Sequence, residues 1–179
     1  MKKVSLLVFC LFLLLVLASF AEALDSPLPD SPLPKRVFEL AKDFGTAEWK
    51  EENGESPYFE GSMDGINYIC IFTACHEKNC SNIILRSNFS GFNKDLTFIN
   101  TFNRDTRVGK VYLDNNDMIV FDYFINVDKG ITRESIISCL QWFRRGLTDL
   151  VAQLSEKDGL IQNTARKVKE KLREKSVSF

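Results

Sequence analysis

The sequence has little of the chemistry that enzymes usually need. His76 is its only histidine and no recognisable nucleophile motif accompanies it, which weakens any hypothesis of a catalytic triad. A Cys-x-x-Cys pair and a glycine-rich phosphate loop are both absent. Neither sign of charge dominates, since 23 basic and 24 acidic residues leave a formal net charge of −1. Nucleic-acid binding needs a basic face, so we expect a protein that is not an enzyme, needs no cofactor and binds no nucleic acid.

Two clusters approach a metal site and fall short of one. Cys75, His76 and Cys80 offer three zinc ligands, but the spacing suggests no fourth. Residues 114–117 read Asp-Asn-Asn-Asp and resemble the start of a calcium loop. The sixth position of such a loop must be glycine and is Ile119, and no glutamate occupies the twelfth. We therefore expect a loop histidine, a strand-to-strand turn and no metal.

The first 23 residues are typical of a secretory signal peptide. Lys2 and Lys3 precede an apolar run over residues 4–20, and Ala21-Glu22-Ala23 supplies the small residues that a signal peptidase needs. The alternative is an uncleaved membrane anchor, since a run of about 17 residues is at the lower limit for crossing a bilayer. We expect cleavage, and therefore a periplasmic or secreted protein.

A proline-rich segment follows over residues 24–34, where Asp-Ser-Pro-Leu-Pro occurs twice. Alternate prolines fix φ and remove backbone donors, which favours an extended polyproline-II linker. A ligand for a proline-recognition module is the functional alternative. A tether is the preferred interpretation for a segment directly behind a signal peptide.

The remaining chain has the composition and periodicity of one globular domain, with 45% hydrophobic and 12% aromatic residues overall. Hydrophobic spacing predicts a helix over 35–44, strands over 46–52, 56–61, 66–75 and 81–89, a helix, a turn at Gly109 and two strands within 97–127, and a helix over 132–154. Asn53-Gly54 and Asp64-Gly65 predict tight turns between the first three strands. The predicted apolar stripe of the last helix is Ile136, Leu140, Phe143, Leu147, Leu150 or Val151, and Leu154. The predicted stripe of the second helix includes Leu96, Ile99 and Phe102. Because apolar residues fall on both faces of the strand 66–75, we expect a central strand that is covered above and below.

Asp158-Gly159 predicts a helix break, followed by a second, basic helix over residues 160–175. Its charge suggests docking on an anionic membrane surface or an acidic partner, and a solvated tail helix is the alternative. The candidate contact residues on this helix are Arg166, Lys167, Lys169, Lys171 and Arg173.

Four cysteines remain after removal of the predicted signal peptide, and four cysteines allow three pairings. We favour a disulfide between Cys75 and Cys80, because they occupy the two ends of a short hairpin connection. Cys70 and Cys139 lie on predicted buried faces and are expected to be inert thiols.

The only clustered polar candidates for an enzyme site are Asn100, Asn103, Asp114 and Asp122. The preferred interpretation is structural, in which the asparagines cap and brace the helix-to-strand turn. An enzyme would need these side chains to converge in a deep pocket.

Several short segments together resemble the bacterial YbjN-like family. They are Ile99-Asn100-Thr101-Phe102-Asn103, Val108-Gly109-Lys110-Val111-Tyr112-Leu113-Asp114, Ile119-Val120-Phe121-Asp122 and Gly130-Ile131-Thr132. The resemblance covers residues 34–154. Two departures are Phe102 in place of the tryptophan often found there and the lack of the usual glycine in the turn 114–117. Phe102 keeps an aromatic anchor, so neither departure threatens the fold.

The resemblance implies an α+β fold with a twisted antiparallel sheet flanked by helices, similar to type III secretion chaperones. Those chaperones are non-enzymatic and bind other polypeptides, often as dimers, so a homodimer is one expected state. The family is labelled a sensory transduction regulator and offers no catalytic site to transfer. The residues that it suggests as a structural motif are Asn100, Phe102, Asn103, Gly109 and Asp114.

The expected organisation is therefore a signal peptide (1–23), a linker (24–34), a YbjN-like domain (35–154) and a basic C-terminal helix (155–179). The leading hypothesis is a secreted or periplasmic protein-binding module, chaperone-like or regulatory, which buries an apolar segment of a partner on a sheet edge or helix groove. The alternative is an envelope-associated sensor or adaptor that the basic helix holds on anionic lipid.

Overall fold

The computed structural model describes residues 32–50, 56–77, 79–92 and 95–176, with side chains as far as residue 159. The predicted signal peptide, most of the predicted linker and the predicted Asn53-Gly54 turn lie outside the described residues. The described elements are α1 (Leu33–Ala41), a 3₁₀ turn (Lys42–Phe44), β1 (Gly45–Lys50), β2 (Tyr58–Met63), β3 (Ile66–His76), β4 (Asn79–Phe89), α2 (Leu96–Asp105), β5 (Lys110–Leu113), β6 (Ile119–Asn126) and α3 (Arg133–Ser176).

The described strands form one antiparallel sheet with the order β1-β2-β3-β4-β6-β5. With three described helices this is the α+β fold that the sequence predicts. The predicted Asp64-Gly65 turn joins β2 to β3, and both of its residues have positive φ, 53° and 78°. Positive φ at both central residues is the geometry of a type I′ hairpin turn, which matches the twist of the strands.

The three helices of the described residues pack on one face of the sheet through a continuous series of aromatic rings. In order, this aromatic chain consists of Phe38 (α1), Phe59 (β2), Tyr68 (β3), Phe143 (α3), Phe121 (β6) and Phe102 (α2). Neighbouring ring centroids are 5.4 to 6.5 Å apart. Aromatic pairs at such distances add to the stabilisation from area burial, so the aromatic chain ties each helix to the sheet.

The helix α3 supplies most of the cover of this face. Its predicted apolar stripe is confirmed, and every member is buried: Ile136, Leu140, Phe143, Leu147, Leu150 and Leu154. Gly146 brings the helix close to the sheet, because a Cβ there would lie 2.8 Å from the Phe121 ring.

The prediction that a helix ends at Asp158-Gly159 is wrong, because α3 continues without a break to Ser176. One glycine in a helix costs only about 1 kcal/mol relative to alanine, and no proline follows it. Residues with good helix propensity on both sides carry the helix across. The five predicted contact residues between positions 166 and 173 are on this continuation, where side chains lie outside the described part. Within the described residues, no helix is both long and apolar enough to cross a membrane.

The helix α1 begins at Leu33, two residues before its predicted start, so the predicted linker does not extend to residue 34. Pro34 lies in the first turn of the helix, where a missing N–H is tolerated because those N–H groups have no partner within the helix. Leu33, Val37 and Leu40 are buried against the sheet.

The helix α2 buries Ile99 and Phe102, but Leu96 is 62% exposed and is not part of its buried stripe. Asp95 is the N-cap residue, and its carboxylate accepts a hydrogen bond from the Thr97 N–H at 2.8 Å. The same carboxylate pairs with Lys157 of α3. Asp95 therefore joins the start of α2 to α3.

We expect Asp95→Asn to lower the thermal unfolding midpoint by a few degrees at pH 7. Asparagine is also a good N-cap, so the variant removes mainly the charge. Lys157 and, secondarily, the Thr97 N–H lower the pKa of Asp95 in the folded protein. A lowered folded pKa stabilises the fold above the unfolded pKa of about 3.9, and this stabilisation is lost as the pH falls through the folded pKa. Thermal unfolding between pH 7 and pH 2 should show the difference between variant and wild type closing below about pH 4.

The control for this prediction is Asp149→Asn, on the exposed surface of α3. It should leave the unfolding midpoint nearly unchanged at every pH. A constant difference between Asp95→Asn and wild type over the whole pH range would contradict the ionic role of Asp95.

Candidate protein-binding surface

The second face of the sheet carries none of the ring contacts that hold the described helices, and we call it the helix-free face. Strand register places two neighbouring rows of side chains on it. The apolar row consists of the successive cross-strand partners Tyr58, Ile71, Ile84 and Phe124. The charged row, one pleat away, consists of Glu48, Glu60, Ile69, Arg86, Asp122 and Lys110. The prediction that β3 is covered on both faces is therefore wrong for the described elements, which cover one face.

The apolar row is unusual for a face that no described helix covers. Phe124 is 57% exposed, and Tyr58, Ile71 and Ile84 are half-buried. A solvated face of an antiparallel sheet normally carries polar residues, and contiguous apolar side chains at a surface commonly mark an interaction site. The row crosses β2, β3, β4 and β6, so it spans about 14 Å at the usual strand spacing.

The charged row is largely neutralised within the chain. Arg86 donates two hydrogen bonds of 2.7 Å to the two carboxylate oxygens of Asp122, and the Tyr112 hydroxyl donates a third at 2.9 Å. The Asp122 bond raises the pKa of Arg86. At the β1 edge, Lys50 pairs with Glu48 at 2.6 Å. The row therefore has a neutral centre, an acidic excess toward β1, where Glu48 and Glu60 are opposed by Lys50 alone, and a basic residue, Lys110, on β5.

The four polar residues that were candidates for an enzyme site are used in different places. Asn103 braces the connection from α2 to β5: its amide nitrogen donates to the Val111 carbonyl at 2.7 Å and its amide oxygen accepts from the Val111 N–H at 2.8 Å. Asp114 accepts the N–H groups of Asn116 and Met118 and so closes the β5–β6 turn. Asp122 belongs to the charged row, and Asn100 is exposed on α2. These side chains do not converge on one pocket.

Asn103 also decides which edges of the sheet are available. The edge strands are β1 and β5, and an edge strand can pair with another chain unless something blocks it. The Asn103 amide occupies both backbone groups of Val111, the second residue of the four-residue β5. On the other edge, β1 pairs with β2 along all six residues, and no described strand lies on its outer side.

Each side of the β1 strand offers a different environment. On the helix side, the Trp49 ring contacts the Phe38 ring at 5.4 Å and carries the Lys35 ammonium 3.6 Å above it. Next to β1 lies an open groove of about 610 Å³, lined by residues that include Thr46, Glu48, Glu60, Asn67 and Arg86. A strand added to β1 would thus place alternate side chains near an aromatic surface and near an acidic groove.

Gly109 makes the turn between α2 and β5 with a φ of +72°. A Cβ at this position would lie 2.5 Å from the Phe121 ring and 2.7 Å from the Asp122 carbonyl oxygen. Phe102 is buried and packs edge-on against the same Phe121 ring. Phe102 and Gly109, two of the residues that carry the family resemblance, therefore lie directly against Phe121.

The disulfide and the histidine lie at the hairpin end of β3 and β4. Cys75 and Cys80 are directly cross-strand and form a disulfide bond, and His76 is exposed beside them. Cys70 is a buried thiol whose pKa is raised by burial, and Cys139 is half-buried beside Tyr123. Within the described residues, no three histidine, cysteine or acidic side chains are grouped so as to hold a metal ion.

Sequence reasoning missed both the apolar row and the open β1 edge. Period-two alternation in β3 did show apolar residues on both faces, but only the pairing register shows which of them line up across strands. The edge positions of β1 and β5 follow from strand order, which the sequence did not predict.

Comparison with known protein families identifies a family that the chain matches. The family model YbjN, described as "Putative bacterial sensory transduction regulator", matches residues 34–156. No curated protein and no solved structure matches the chain.

Proposed function

The chain belongs to the YbjN family, and on that premise we propose that it is a non-enzymatic regulatory adaptor, which acts by binding another polypeptide. The observation that carries the proposal is the difference between the two sheet edges. One edge is closed by Asn103, and the other, β1, has no described strand beside it. Strand addition to an exposed edge is a common way to recognise an extended peptide.

The partner segment is extended, with apolar side chains alternating with polar or basic ones. Backbone hydrogen bonds to β1 would supply affinity, and the environments on its two sides would supply specificity. Apolar side chains of the partner would lie near Trp49 and Phe38, and basic ones near Glu48 and Glu60, which line the groove.

Proline substitution in β1 tests strand addition. In an antiparallel pair, alternate residues direct their backbone N–H toward the two sides of a strand, so either Ala47 or Glu48 points its N–H outward. The proline variant at the outward-facing position, either Ala47→Pro or Glu48→Pro, removes an N–H that β2 does not use. It should therefore keep the thermal midpoint within a few degrees and reduce partner binding by at least about tenfold. The matched control Ala47→Ser keeps both the N–H and the Glu48 carboxylate, so it should retain binding. Glu48→Ala keeps the N–H and should lose only the affinity that its carboxylate supplies, which is less than the loss in the proline variant.

The partner is obtained by cross-linking the chain in its own host, identified, and then added to the purified protein. Hydrogen exchange should slow in residues 45–50 when the partner is bound. Strand addition is rejected if a folded proline variant at each position binds as the wild type does, or if protection appears elsewhere and not in β1.

The compartment and a membrane role are also proposals. The predicted signal peptide and the disulfide, which suits an oxidising compartment, support a periplasmic or secreted protein. The second candidate function is an envelope adaptor on anionic lipid, supported by the continuity of α3 through the basic positions 166–173. Flotation with vesicles containing anionic lipid, using the chain with and without residues 160–179, tests it. No lipid binding by either chain would reject it, as would lipid binding that does not depend on these residues.

A further inference from the structure

We infer that a second copy of the chain covers the helix-free face, so that two sheets pack face to face about a two-fold axis. The axis runs parallel to the strands, between β3 and β4. The inference goes beyond the proposed adaptor function, because it uses the face of the sheet, including the groove residues Glu48 and Glu60. It leaves the outward backbone groups of β1 open at the side of the assembly.

Strand order provides the symmetry. In the order β1-β2-β3-β4-β6-β5, the centre of the sheet lies between β3 and β4. A two-fold rotation about an axis there places β3 opposite β4 of the second copy, β2 opposite β6 and β1 opposite β5. Because the axis is parallel to the strands, each cross-strand row stays level with the same row of the other copy. The contact is then isologous, which is the commonest kind in homo-oligomers.

The apolar row is self-complementary under this rotation. Ile71 meets Ile84 of the second copy, and Tyr58 meets Phe124. Packed sheets lie about 10 Å apart with interdigitating side chains, so each exposed Phe124 ring would be removed from water beside a tyrosine ring. Buried aromatic side chains of this type often dominate the energy of an interface.

The charged row is complementary at its ends. Glu48 on β1 also pairs with Lys50 within the chain, but with Glu60 beside it this end of the row has two acidic residues against one lysine. Glu48 meets Lys110 on β5 of the second copy, twice by symmetry. Glu60 meets Asp122, whose charge is already neutralised by the bidentate Arg86 and the Tyr112 hydroxyl. When the charged rows of the two copies face each other, an acidic residue therefore meets a basic one at each edge of the sheets. Nearer the centre, the neutralised Arg86–Asp122 pair is opposed.

A different two-fold axis, along the apolar row, would lack this charge match. It would place each strand across from itself and set the charged row against the row that contains Thr73, Asn82 and Asn126. Charge complementarity thus selects the axis that is parallel to the strands.

Sedimentation equilibrium over a concentration series, with protein purified from its host, tests the assembly. The wild type should fit a monomer–dimer equilibrium. Phe124→Ser should raise the dimer dissociation constant by at least about tenfold, as expected for an aromatic anchor. Leu96→Ser, which changes an equally exposed apolar residue on α2, is the matched control and should leave the constant unchanged. Circular dichroism checks that each variant is folded.

Charge reversal tests the axis. Glu48→Lys alone and Lys110→Glu alone should each weaken the dimer several-fold, and the double variant should recover most of the loss. A wild type that stays monomeric up to about 100 µM overturns the inference, because its dissociation constant is then too high for a stable assembly. A dimer whose dissociation constant Phe124→Ser does not change also overturns it. If the loss of dimer affinity in the double variant equals the sum of the losses in the two single variants, the proposed axis is wrong.

The two proposals fail separately. A monomeric wild type that still binds its partner at β1 overturns the face-to-face dimer alone. A dimer whose folded β1 proline variants all bind the partner normally overturns strand addition alone.

Discussion

Gly109→Ala should reduce the free energy of unfolding by about 3–5 kcal/mol, through backbone strain and overpacking together. The φ of +72° disfavours any residue with a Cβ. The new methyl group would also lie 2.5 Å from the Phe121 ring and 2.7 Å from a backbone oxygen of β6. Neither neighbour can move easily, because Phe121 is fully buried and β6 is paired on both sides. Urea unfolding at pH 7 measures the loss.

Gly65→Ala is the matched control for Gly109→Ala. Gly65 has a similar φ of +78°, but a Cβ there meets no atom within 4 Å. Its substitution reports the cost of backbone strain alone, which we expect to be about 1 kcal/mol. Equal losses in the two variants would show that crowding against Phe121 contributes nothing.

Phe121→Ala should cost about 4 kcal/mol, a typical value for truncating a buried phenylalanine. The ring is fully buried, stacks on Phe143 at 5.6 Å with an interplanar angle of 11°, and meets Phe102 edge-on at 6.5 Å. Its removal breaks the aromatic chain where α2, α3 and the sheet meet. Thermal and urea unfolding should both show the loss, and a change below about 1.5 kcal/mol would mean that the neighbours collapse into the cavity.

A double-mutant cycle connects these two predictions. In a Phe121→Leu background the ring edge next to Gly109 is gone, so Gly109→Ala should cost less than in the wild type, and what remains is the backbone strain and the close contact with the Asp122 carbonyl oxygen. In a Phe72→Leu background it should cost as much as in the wild type, because Phe72 is an equally buried ring that packs against Phe59. If Gly109→Ala costs the same free energy of unfolding in both backgrounds as in the wild type, its effect comes from the backbone and not from the Phe121 ring.

Much of the fold could be predicted from the sequence because its signals are local. The period of α3 identified its buried stripe, and Asp64-Gly65 identified a hairpin turn whose positive φ values the structure shows. The end of α3 was mispredicted because the helix penalty of a single glycine is small and neighbouring residues offset it. The exposure of Leu96 depends on the angle at which α2 meets the sheet, which its own periodicity does not determine.

The candidate surface was predictable only in part, since it depends on pairing between distant strands. The brace from Asn103 joins residues eight positions apart, and short polar side chains near a turn indicated it. The apolar row joins four strands from β2 to β6, and its alignment depends on register, where a shift of one residue moves every side chain to the other face. No local pattern contains that information.

The Asn103 brace also limits how many chains an assembly can contain. A sheet with two open edges can add its own β1 to the β5 of a neighbour, and repetition of that heterologous contact makes a filament that never closes. With the backbone of Val111 already bonded to Asn103, this route of growth is blocked at the first step. If the proposed strand addition takes place, it therefore ends after one segment per chain, and we expect a one-to-one stoichiometry with the partner and no polymerisation through the sheet edges.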